Sequence, residues 1–157
     1  MDLMHLCDCH GTACCIFGGV LGLAMEKRAM GRTIADRLLT VNRFMVEWYN
    51  SHPPTHRLPE LRPNNLKSNE WYELSGPAIK AAKTRAAAPL FKDFAARYFT
   101  EPTGTDTAVV EVTARYAEFY DLLYSCPMFM ADADVLRLRG ICEVIGVQVS
   151  RIGRPKP

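Results

Sequence analysis

The densest chemistry in the chain lies in DLMHLCDCHG, Asp2 to Gly11. It holds two Asp, two His and two Cys, and Cys14 and Cys15 follow close behind. Thiolate and imidazole groups are zinc ligands, and a structural zinc takes four of them in a tetrahedron. His5, Cys7, Cys9 and His10 are the candidate ligands, and zinc is the one cofactor these residue types suggest. Their spacing is irregular, with no C-x₂-C pair answered by a second pair. The favoured reading therefore makes Cys14 and Cys15 small buried hydrophobes of a core helix and the others reduced bystanders, with no cofactor. Cys126 and Cys142 could join a metal site only through the fold. Nucleophilic catalysis by a Cys–His pair needs the two side chains in contact and a third group to orient the base. Cys9 and His10 are adjacent in sequence, which on any regular element points them apart.

A second set of candidates is basic. Lys80 and Lys83 are three residues apart and share a helix face, with Thr84 beside them and Arg85 offset. Lys67 and Lys92 extend the set. On an alanine-rich helix the slim side chains let a backbone approach closely, a nucleic-acid phosphate included. The plainer reading is a solvated outer face. Arg57, Arg62, Arg151, Arg154 and Lys156 add positive charge, which Glu47, Glu60, Glu70 and Glu73 dilute. The aromatic residues Trp48, Tyr49, Trp71, Tyr72, Phe91, Phe94, Tyr98 and Phe99 could stack on bases, but their helical spacing reads as core. No phosphate-cradling glycine loop, dinucleotide fingerprint or H-E-x-x-H motif occurs, and the acidic residues form no dyad.

Composition narrows the class. A chain of 157 residues suits one domain and can bury enough surface to fold without a staple. A formal net charge of +2 is too small for bulk attraction to nucleic acid, so any basic surface is local. Four of the six Cys crowd between positions 7 and 15, unlike a secreted disulfide scaffold, and no basic leader precedes an apolar run. The apolar stretch Thr12–Met25 is shorter than the roughly 18 residues a membrane span needs. These features predict a soluble, reduced, intracellular protein with no membrane partner.

The elements that must position these groups are helices. GTACCIFGGVLGLAM, residues 11–25, is apolar on nearly every side and predicts a buried helix, with Gly18, Gly19 and Gly22 admitting another backbone. Thr33 is an N-cap residue. After it Ile34, Leu38, Val41, Met45 and Trp48, widened by Leu39, Phe44 and Tyr49, mark an amphipathic helix. Residues 52–65 hold four Pro and predict an ordered connector without regular structure. A helix capped at Ser75 or Gly76, with Pro77 at its first position, is expected to break after Ala88 at Pro89. Leu90, Phe91, Phe94 and Tyr98 give the next helix its apolar side. A helix over 106–124 carries Val109, Val112, Tyr116, Phe119, Tyr120 and Leu123, and a last one over about 132–152 carries Val135, Leu138, Ile141, Ile145 and Val149. Residues 153–157 form a short basic, flexible tail. No strand pair is evident. The expectation is an all-α single domain over 1–157, an irregular bundle of five to six helices.

Asp2-Leu3-Met4-His5 matches the Asp-x-x-His signature of several cut-and-paste DNA transposase superfamilies. With RFMVEWYNSH, LPELRPNNLK, GPAIKAAKTRAAAP and YSCPMFMADADVLRLR, the chain most resembles the CACTA (En/Spm) type and open reading frames derived from it. In that family the signature lies in an RNase H-like domain, after two metal-binding carboxylates and before a helical insertion and a last catalytic Glu. The resemblance implies that nearly the whole chain corresponds to the insertion, and that Asp2 and His5 are a remnant of the signature. Two-metal phosphoryl transfer needs a set of carboxylates holding ions about 4 Å apart. Neither the upstream pair, nor the sheet, nor the last Glu is in the sequence, so a truncated copy without catalytic activity is expected. DNA is then a candidate partner, through Lys80, Lys83 and Arg85, and the nucleus its compartment. The alternative is a small helical protein-interaction module in the cytoplasm. A torn domain would associate with itself through an exposed apolar face, for which the glycine-rich helix Cys15–Met25 is the candidate.

Overall fold

The computed structural model describes residues 12–53, 56–68, 72–75, 79, 81–127 and 129–152. The fold class is all-α, as expected, with six α-helices among the described residues. None of these helices is long and apolar enough to cross a membrane. The contacts gather into two compact units, one of the described residues up to Leu90 and one of those from Phe91 onward.

In the first unit α1, Thr12–Glu26, is the centre, with eleven of its fifteen residues buried. Its apolar sequence has no polar side to offer solvent, so every face needs a cover. One cover is a hairpin of β1, Leu66–Ser68, and β2, Tyr72–Leu74, antiparallel with Leu66 opposite Leu74. This strand pair was not expected, and three residues a side is too short for an alternating pattern to stand out. What holds it is tertiary: Gly18 lies under the β2 backbone and Gly22 under the Tyr72 ring. At Gly18 this is the backbone approach the sequence implied, whereas at Gly22 the neighbour is a side-chain ring. Asn65 closes the base of the hairpin: its amide donates to the Ser75 carbonyl at 3.1 Å, and its carbonyl accepts from Ser75 N–H at 2.7 Å.

The second helix, α2, spans Ile34–Ser51 and starts at Thr33, whose hydroxyl accepts from Asp36 N–H while the Asp36 carboxylate accepts from Thr33 N–H. This capping box satisfies two end donors. Leu38, Val41, Phe44, Met45 and Tyr49 are buried. Ile34 and Leu39, expected in the apolar stripe, are 62% and 56% exposed. Ile34 stands in the first turn, ahead of the core, and Leu39 falls on the far flank of the helix at 100° per residue. The Arg37 guanidinium donates to the carbonyls of Met25, Gly31 and Arg32, and so ties the end of α1 to α2. Gly31 turns the chain there at φ 154°, and a side chain on it would strike Asp36.

The proline-rich connector runs against α2. The Asn42 amide both donates to and accepts from the Leu61 backbone, at 2.9 and 2.8 Å, and Leu58 N–H donates to the Tyr49 hydroxyl at 3.0 Å. Leu58 and Leu61 are thereby buried. Contrary to expectation the connector holds a little regular structure, a 3₁₀ turn over Pro63–Asn65.

Two helices follow, α3 over Ala81–Ala86 and α4 over Ala88–Tyr98. The break was expected after Ala88; it falls at Ala87, so Pro89 lies in the first turn of α4. A first-turn N–H has no helical partner, so proline costs nothing there. Leu90, Phe91 and Phe94 are buried, and Tyr98 is half-buried.

The second unit is dominated by a helical hairpin of α5, Gly104–Ser125, and α6, Asp132–Ile152. Thr103 caps α5 by accepting from Asp106 N–H, which starts the helix two residues before the expected Asp106. Val109, Val112, Tyr116 and Tyr120 of α5 are buried, as are Ile141 and Ile145 of α6. The start of α5 and the end of α6 share one cleft, so the two helices run antiparallel. Val135, expected on the packed side of α6, is instead 50% exposed.

Candidate functional site

The sequence candidates separate at once. Asp2, His5, Cys7, Cys9, His10 and Lys80 lie outside the described residues, as does Trp71. Among those described, Cys14 is a core residue, 1% exposed on α1. Its sulfur lies 3.9 Å from the Thr84 hydroxyl of α3. Cys15 points elsewhere and is half-buried, and its burial, with the carboxylate of Glu73, pushes its thiol up. A thiol held protonated is a poor nucleophile and a poor ligand. Among the described residues no three His, Cys, Asp or Glu gather as a metal cradle.

The basic face is smaller than its sequence suggests. Lys83 and Arg85 are half-buried, and Thr84, expected beside Lys80 and Lys83 on that face, is wholly buried against Cys14. A six-residue helix with its middle in the core presents only an edge to a ligand. Lys92 is exposed on α4. Of the aromatic set Tyr49, Phe91, Phe94 and Phe99 are buried, while Trp48, Tyr72 and Tyr98 are half-buried. Trp48 stacks on His52, with ring centres 4.5 Å apart.

The glycine-rich helix, expected as the exposed apolar face, is the most buried helix of its unit. The reason is the hairpin of β1 and β2, which covers the side of the helix that carries Gly18 and Gly22.

Charge in the second unit is organised across α5 and α6. Glu118 accepts from Arg137 of α6 and from Arg115 one turn back on α5, each at 2.8 Å, and Arg115 also pairs with Glu111 at 2.8 Å. The Arg137 bond first, then the Arg115 bond, hold the Glu118 carboxyl below its ordinary range. An open cleft of about 530 Å³ borders this network, lined by Lys92, Glu118, Asp121, Ser125 and Arg137 among others. Its charges are matched, so it selects neither anion nor cation strongly. A second cleft, about 570 Å³, lies at the start of α5 beside Gln148 and Arg151. The Asp106 carboxylate, accepting from Glu101 N–H at 3.1 Å, already supplies negative charge to that helix end.

The outer face of α6 also carries exposed apolar residues, as Ile34, Leu39 and Val46 do on α2. Leu136 is 67% exposed and Val147 51% exposed. At 100° per residue Leu136 lies about 140° and 180° around the helix from the buried Ile141 and Ile145, and Val147 about 120° and 160° from them. Gly140 and Glu143 fall between them on the same line, and nothing lies within 4 Å of a Cβ built on Gly140. Arg139 flanks the line and pairs with Glu143 at 3.0 Å, both side chains largely in solvent. In the sequence the signal was a surplus: this helix has more apolar residues than one packed face can use. The stripe read from the sequence, Val135, Leu138, Ile141, Ile145 and Val149, leaves Leu136 and Val147 out.

Comparison with protein-family models, with curated proteins and with solved structures finds no match.

Proposed function

We propose that the chain is a binding module without catalytic activity of its own, a helical insertion of the kind carried by the transposases it resembles, working through the outer face of α6. The observation that carries the reading is that face. Leu136 and Val147 stand exposed on the side of α6 opposite its packed residues, in line with an intrahelical Arg139–Glu143 pair. Two exposed apolar side chains on either side of a charged pair offer a protein partner both apolar area and charge. In the cleft between α5 and α6 the Glu118 carboxylate is already engaged by Arg137 and Arg115, which leaves it little to offer a substrate.

DNA contact through Lys80, Lys83 and Arg85 belongs to the same reading, as a weak, sequence-independent edge. Counterion release makes such binding steeply dependent on salt. The test is retention of duplex and single-stranded DNA by the purified chain over a salt series, beside sedimentation over a concentration series. Binding to DNA at low salt that falls with added salt, or concentration-dependent association, supports a binding module. A monomer that retains no nucleic acid at low salt ends the reading. Association without any DNA retention leaves the protein-interaction module alone.

A further inference from the structure

We infer that the partner of the α6 face is a second copy of this chain, paired through α6 in antiparallel register. The inference rests on the binding-module reading above and names the occupant of its surface. Leu136, Gly140, Glu143 and Val147 recur at four, three and four residues, the spacing of a seam that two helices can share. The line reads the same way from both ends under a two-fold axis. Laid antiparallel about a point between Ile141 and Cys142, Leu136 of each copy meets Val147 of the other, and Gly140 meets Glu143. The open space over Gly140 leaves room for that carboxylate. In the same register Arg139 of each copy comes within one residue of Glu143 of the other. The two intrahelical pairs thereby close into a ring of four alternating charges. A surface that is apolar at both ends and oppositely charged at its middle is complementary to itself, as an isologous interface must be. A parallel pairing would set like charges side by side. The contact spans only three turns of one helix per copy, about 16 Å. It is therefore a small interface, of the weak and transient class.

Sedimentation velocity of the full chain between micromolar and millimolar concentration tests this. The expected result is a monomer–dimer equilibrium weakened at least tenfold by Leu136→Glu and by Val147→Glu, with far-UV circular dichroism unchanged because both positions are exposed. Charge reversal removes any ambiguity from folding. Arg139→Glu and Glu143→Arg should each lose self-association, and a mixture of the two should associate, since each then offers the charge the other lacks. A dimer indifferent to Leu136→Glu, or a mixture no better than its parts, overturns the α6 pairing. A wild-type monomer at all concentrations overturns it too. If that monomer still retains DNA, the binding-module reading survives the loss of the dimer; if it retains none, both fall.

Discussion

Gly18 of α1 lies beneath the backbone of Leu74: a methyl group built on Gly18 would stand 2.5 Å from the Leu74 nitrogen. Backbone cannot swing aside as a side chain can, so Gly18→Ala must separate helix and hairpin. The expected cost is about 3 kcal/mol, at the upper end for overpacking, read from chemical denaturation. At Gly22 the obstacle is the Tyr72 ring. Gly22→Ala should therefore be rescued in part by Tyr72→Ala, while Gly18→Ala should not. Equal rescue of both would place the hairpin elsewhere.

Asn42 holds the proline-rich connector with both ends of its amide, one to the Leu61 carbonyl and one to the Leu61 N–H. Asn42→Asp keeps the shape, loses the donor and sets a carboxylate against a carbonyl oxygen. A loss of about 2–3 kcal/mol is expected, together with faster amide exchange at Leu61. Unchanged exchange there would show that the connector is held by its prolines alone.

Glu118 is the charge that links α5 to α6. Arginines hold its carboxyl below the ordinary range, so its contribution is present above the carboxylate range and lost as pH falls through its lowered value. The wild type should therefore be more stable than Glu118→Gln at neutral pH, and the gap should close on acidification. The gap should be modest, since the pair sits within reach of solvent. Melting curves of both proteins from pH 7 to pH 3 check this. A gap that widens in acid has the wrong sign and would remove the network as a stabiliser.

Among the four described cysteines, reactivity should follow burial. Cys142 is exposed and Cys14 is in the core. Iodoacetamide under native conditions should label Cys142 at least about a hundredfold faster than Cys14, which waits on opening of its helix. Peptide mass spectrometry resolves the two sites. Comparable rates would mean that α1 is far less firmly covered than its packing implies.

The helices were legible in sequence because their determinants are local. Thr33 three residues before Asp36, and the recurrence of Val109, Val112, Tyr116 and Tyr120, act within one or two turns. The close approach at Gly18 and Gly22 was legible as a possibility for backbone contact, though not its occupant. Strands of three residues leave no pattern, so β1 and β2 were missed. Without them the glycine-rich helix looked bare. The surface lines were misjudged for a related reason. Periodicity says that apolar residues share a side, and never which side meets a neighbour, so it places Val135 in the core and does not mark Leu136 and Val147 as a second line.

By itself, then, the sequence determined an all-α chain, the places of its long helices to within a few residues, and the need to cover α1 on every side, because capping, helical period and the absence of polar groups act between near neighbours. Tertiary structure alone decided that a hairpin supplies that cover, that Thr84 is drawn into the core against Cys14 and away from the basic edge, and that α6 has a second line facing outward. Each of these depends on which distant segment arrives to bury a given face, and that follows from the packing of the chain as a whole.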